Sequence, residues 1–87
     1  MKLVIAIVQD QDASAVIDGL VQREYRSTRI NTQGGFLKRG NATILVGVED
    51  EQVADVVEVI KQNARPSSGD RAAGTLFVLN VARFIRV

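Results

Sequence analysis

Thr28-Arg-Ile-Asn-Thr-Gln-Gly-Gly-Phe-Leu-Lys-Arg-Gly-Asn-Ala-Thr-Ile-Leu-Val-Gly47 decides the fold. A polar strand runs into Gly34-Gly35, passes Phe36-Leu37, turns again at Gly40-Asn41 and enters the apolar run Thr43 to Val48. This is a hairpin with an elaborated tip. Glycine pairs and Gly-Asn mark positions where the backbone needs positive φ or must let another molecule come close. With an aromatic beside them they suit a ligand that carries rings and phosphates, and an ordinary hairpin turn with an incidental Phe accounts for the same residues.

Before the hairpin the period is two. Arg26, Thr28, Ile30 and Thr32 share one face while Tyr25, Ser27, Arg29 and Asn31 share the other, and so polar a strand belongs at a sheet edge. Further upstream, Lys2 to Val8 is a β-branched apolar run, read as a strand buried on both faces. Asp10 and Asp12 follow as helix caps. Ala13, Val16, Ile17, Leu20 and Val21 then fall on one helical stripe, with Gly19 off it as a local weakness of the helix.

Downstream, Thr43 to Val48 is apolar throughout and reads as a central strand. Asp50 caps a second helix with a stripe of Val53, Val56, Val57 and Ile60. Residues 64–73 hold Pro66, Ser67, Ser68 and Gly69 and read as a loop, and Thr75 to Val81 supplies a fourth strand before a short tail. The order strand, helix, strand, strand, helix, strand predicts an α+β, ferredoxin-like βαββαβ fold: a four-stranded antiparallel sheet with two helices on one face. Three strands are apolar on both faces, yet two helices cover only one. The uncovered face therefore calls for a partner, and the pattern predicts a homo-oligomer with sheets packed inward.

The 87 residues predict a single domain spanning 1–87. The chain has no cysteine, which removes disulfides and thiolate metal sites, and no histidine, which removes the usual neutral-pH proton shuttle and commonest metal ligand. The paired carboxylates at Asp10/Asp12 and Glu49/Asp50/Glu51 sit at helix starts, where capping explains them. The expectation is a binding protein with no catalytic residues and no metal. A net charge of +1 argues against a sequence-independent nucleic-acid partner. With neither a membrane-length apolar run nor a signal-peptide pattern, a cytoplasmic protein that makes no use of a membrane is expected. Arg26 is the most suggestive cation, since arginine pairs with phosphate in a way lysine cannot copy. Asn41, with donor and acceptor on one amide, suits an adenine edge, although Asn after Gly is also a routine turn residue.

Four blocks carry a resemblance. Met1-Lys-Leu-Val-Ile-Ala-Ile-Val-Gln-Asp-Gln-Asp12, Gly34-Gly-Phe-Leu-Lys-Arg-Gly-Asn41, Val46-Gly-Val-Glu-Asp50 and Gly74-Thr-Leu-Phe-Val-Leu79 resemble, in the same order, the PII-like cyclic di-AMP receptor proteins of bacteria. The resemblance implies a homotrimer of PII-like subunits that binds cyclic di-AMP in clefts between neighbours, signals through loop conformation to a protein target still to be named, and has no cofactor or enzymatic activity. By matching positions it places Arg26 on a phosphate and Thr28 and Asn41 on adenine. Gly47 and, within the hairpin tip, Gly35 would complete the pocket, with Phe36, Leu37 and Phe77 against the bases.

Three positions depart from the family. Residues 64–73 replace a longer insertion, Arg86 in Phe84-Ile-Arg-Val87 stands where the family's tail commonly has a ligand-touching Gln, and Glu24 replaces a common Asn. Two alternatives follow: a PII-like protein for another adenine nucleotide such as ATP or ADP, or a structural trimer that has lost its ligand.

Overall fold

The computed structural model describes residues 1–30, 40–65 and 73–87. The chain runs β1 (Lys2–Gln9), α1 (Asp10–Gln22), β2 (Ser27–Ile30), β3 (Asn41–Val48), a 3-10 turn (Asp50–Gln52), α2 (Val53–Asn63) and β4 (Gly74–Asn80). The strands form one sheet in the order β2-β3-β1-β4, and every neighbouring pair is antiparallel. This is the ferredoxin-like α+β arrangement. The largely apolar strands β1 and β3 lie in the centre and polar β2 lies at one edge, as their sequences suggest, while β4, also largely apolar, forms the other edge.

Alternation along the strands separates two faces. Val4, Ala6 and Val8 of β1 and Ala42, Ile44, Val46 and Val48 of β3 are buried, packed with Ala13, Val16 and Leu20 of α1 and Val56, Val59 and Ile60 of α2. The other face carries Leu3, Ile5 and Ile7, with Leu45 of β3 and Phe77 and Leu79 of β4 beside them in register. Among the described residues no helix covers it, and Phe77 stays 51% exposed. The helices also stop short of β4, since Val78, on their side of the sheet, remains 47% exposed.

The helix stripes are rotated from those the sequence suggests. Val59 is buried where Val57 was expected, and Val21 of α1 is 60% exposed rather than packed. Gly19 explains the shift. A Cβ there would lie 2.6 Å from Asn63 Nδ2 and 3.1 Å from Val59 Cγ1, so this glycine is a point of close approach between α1 and α2.

The carboxylates also differ from the capping reading. α1 begins at Asp10 after Gln9, with no side-chain cap. Asp12 is buried inside the first turn, where its Oδ2 accepts the Arg65 backbone N–H at 3.0 Å and ties α1 to the end of α2. Ahead of the second helix Glu49, not Asp50, occupies the cap position of the 3-10 turn that leads into α2. Its N–H donates to Gln52 Oε1 and the Gln52 N–H donates back to the Glu49 carbonyl, both at 2.9 Å. Gly40, at φ 92°, has the positive φ expected of the hairpin, and its carbonyl accepts the Asp10 N–H at 2.7 Å.

Candidate functional site

Three arginines leave the end of α1 and enter β2, and two of them are paired. Arg23 bonds Asp55 of α2, and Arg29 reaches Asp10 at 3.3 Å. Both lie on the helix side. Arg26, between them, shares the open face with Thr28, and among the described residues no carboxylate pairs with it.

Arg26 and Thr28 line a cavity of about 410 Å³ with Met1, Leu3, Leu45, Gly47, Val81 and Phe84. The register builds it. Thr28 lies opposite Leu45 and Leu3 opposite Gly47, so three adjacent strands supply one floor. Gly47 keeps that floor open, since a Cβ there would meet only the end of the Met1 side chain, at 3.3 Å. Just past β4 the Val81 N–H donates to the Met1 carbonyl at 3.1 Å, which extends the β1–β4 pairing by one position, and Phe84 of the tail joins the lining.

The structure thus brings Arg26, Thr28 and Gly47 together. Asn41 faces the same side of β3, but six residues from Gly47 it lies roughly 20 Å away at a strand rise of about 3.4 Å. Phe77 lies opposite Ile5 on the open face and Arg86 in the exposed tail, and neither lines the cavity. Gly35, Phe36 and Leu37 lie outside the described residues, as does most of the loop expected over 64–73. Leu3 and Leu45 are cavity residues that the alternation of β1 and β3 could have revealed. Met1 and Val81 sit at the adjoining ends of β1 and β4, and Phe84 comes from the tail after β4, for which the sequence carries no local signal.

One exposed guanidinium, one hydroxyl, an apolar wall and an unobstructed glycine make a cavity for an anionic group attached to something flat and apolar. Among the described residues no group of three or more acidic side chains gathers as a metal site would require. No helix among them is long and apolar enough to cross a membrane. Among the described residues, other cavities lie on the helix side, including an apolar one of about 330 Å³ between α2 and β4 and a polar one of about 410 Å³ between Gln11, Asp12 and Arg65. The open-face cavity differs from both in bringing an arginine and a threonine hydroxyl onto the sheet face away from the helices.

Fold and cavity together define a ferredoxin-like domain with an arginine-bearing cavity on the sheet face away from its helices. The family model for cyclic-di-AMP receptors matches residues 1–71, and the chain belongs to that family. In overall structure it is similar to the crystal structure of a functionally unknown protein from Pediococcus pentosaceus ATCC 25745, at 39% identity and a TM-score of 0.80, over 99% of this chain and 96% of the other.

Proposed function

We propose that the protein is a cytoplasmic PII-like signal receptor that binds cyclic di-AMP at the subunit interfaces of a homotrimer and passes occupancy to a protein target. Arg26 carries the reading. It is the cation of its segment left without a carboxylate among the described residues, and it faces the cavity beside Thr28 and Gly47. In the bound state its guanidinium pairs with a phosphate of the ligand, the apolar wall receives a base, and Thr28 bonds the adenine edge. Asn41, at the far end of the same strand face, serves the neighbouring subunit's cavity. Family membership supports the ligand class, and the bare sheet face supports the assembly.

Calorimetry against cyclic di-AMP, cyclic di-GMP, ATP and ADP tests the reading, with cyclic di-AMP expected to bind tightest. Arg26→Ala should lose about 1.5–3 kcal/mol of binding, tenfold to somewhat over a hundredfold, with the fold intact by circular dichroism. Unchanged affinity removes Arg26 from the site. A wild-type protein that binds ATP or ADP best is a receptor for another adenine nucleotide, and one that binds none of the four is a structural assembly.

A further inference from the structure

The turn between α1 and β2 is held from two sides. At the close of α1, the N–H groups of Arg23 and Tyr25 both donate to the Leu20 carbonyl, at 3.1 and 2.9 Å, and that of Glu24 donates to the Val21 carbonyl at 2.9 Å. Glu24 reverses the chain at φ 65°. Across from this turn, Asp55 of α2 receives both flanking side chains: the Tyr25 hydroxyl donates to Oδ2 at 2.7 Å and the Arg23 guanidinium donates to Oδ1. The Tyr25 ring packs against the core beneath.

Arg26 is the next residue. It precedes Ser27, the first residue of β2 in the sheet ladder, so strand pairing does not hold its backbone. Tyr25 does. Side chains alternate here, and with Tyr25 fastened to the helix layer Arg26 is directed to the opposite, open face, into the cavity beside Thr28. A guanidinium has many rotamers, and its capture of an anion gains from a fixed starting point.

We propose that Asp55, through Tyr25, is a positioning residue for Arg26: the carboxylate on α2 fixes the turn that aims the anion-binding arginine into the open-face cavity. This inference rests on the reading of the cavity as the cyclic di-AMP site. It also gives α2 a mechanical connection to that site, since movement of Asp55 moves the backbone that bears Arg26.

The test is a double-mutant cycle on the full chain, with cyclic di-AMP affinity measured by calorimetry and folding by thermal melts. Asp55→Ala and, separately, Tyr25→Phe should each weaken binding by roughly three- to thirtyfold while the variant remains folded at the assay temperature. In an Arg26→Ala background neither should weaken it further, because the group they position is gone. Tyr25→Phe keeps the packed ring and loses only the hydroxyl, so it reports on the latch even if Asp55→Ala fails to fold. Wild-type affinity in Tyr25→Phe, or an equal loss with and without Arg26, overturns the positioning role and leaves the cyclic di-AMP reading standing. A wild-type protein without affinity for cyclic di-AMP overturns both.

Discussion

Glu24 occupies a backbone conformation that its side chain disfavours. At φ 65° an L-residue brings Cβ against its following carbonyl, a cost of roughly 1–2 kcal/mol that Asn partly escapes by local hydrogen bonding. Glu24→Asn should therefore stabilise the folded protein by about 0.5–1 kcal/mol, read as a higher urea midpoint at unchanged slope. A lower midpoint would mean that the carboxylate supports the turn. The family's common Asn at this position, visible as a departure in the sequence, acquires a physical reason from the φ angle. Asp12 teaches the reverse lesson. A carboxylate near a helix start reads as a cap, and only the return of residue 65 to the same place shows that it binds another segment's backbone.

At the scale of elements, the order and type of every helix and strand were legible because period two and period 3.6 do not mimic each other over these lengths. Helix rotation was not legible. In α2 the sets Val53, Val56, Val57, Ile60 and Val56, Val59, Ile60 both obey helical spacing, and the choice is made by α1 approaching at Gly19. Gly19→Ala tests that contact. Helix propensity alone favours alanine by about 1 kcal/mol, but the added methyl meets Asn63, whose amide is held by the Val59 carbonyl at 2.8 Å, and crowds Val59 itself. Overpacking costs about 1–3 kcal/mol, so a net loss on the order of 1 kcal/mol in denaturant melts is expected, and Asn63→Ala should relieve it.

The latch between the turn and α2 has a pH signature. The Tyr25 hydroxyl above all, and then the Arg23 bond and charge, hold Asp55 below its ordinary 3.8 against the opposing effect of burial. The bond to Asp55 is likewise the main cause that raises Tyr25 above its ordinary 10.0. A lowered carboxyl contributes stability that is present above its unfolded value and lost as pH falls through its folded one. A raised phenol contributes stability that is present below its unfolded value and lost as pH climbs through its folded one. Wild type should thus exceed Tyr25→Phe in stability by a constant margin between about pH 5 and 9, narrowing below pH 4 and above pH 10. A margin independent of pH would show that the bond is not formed in solution.

For the whole molecule the geometry of the open face sets a constraint. Arg26, Thr28 and Gly47 meet at one end of the sheet, while Asn41 lies at the other end of β3. Matching the residues to a single pocket was possible from sequence, but their division between two ends was not, because it depends on the β2–β3 register, with Thr28 opposite Leu45, that sets Arg26 near Gly47 and far from Asn41. With roughly 20 Å between them at about 3.4 Å per residue, one ligand reaches both groups only if they come from different subunits. Closed ring symmetry supplies that pairing, since each subunit presents one end to each neighbour. Light scattering should accordingly give the mass of a trimer. Arg26→Ala and Asn41→Ala should each bind cyclic di-AMP weakly as pure proteins, yet mixed and refolded together at equal ratio they should recover tight sites, wherever a subunit with intact Arg26 meets one with intact Asn41. Random exchange in a closed ring predicts recovery of about a quarter of the sites. If the mixture binds no better than its parents although exchange of subunits is demonstrated, Asn41 and Arg26 do not serve a shared site, and the adenine must be read by residues of the Arg26 end alone.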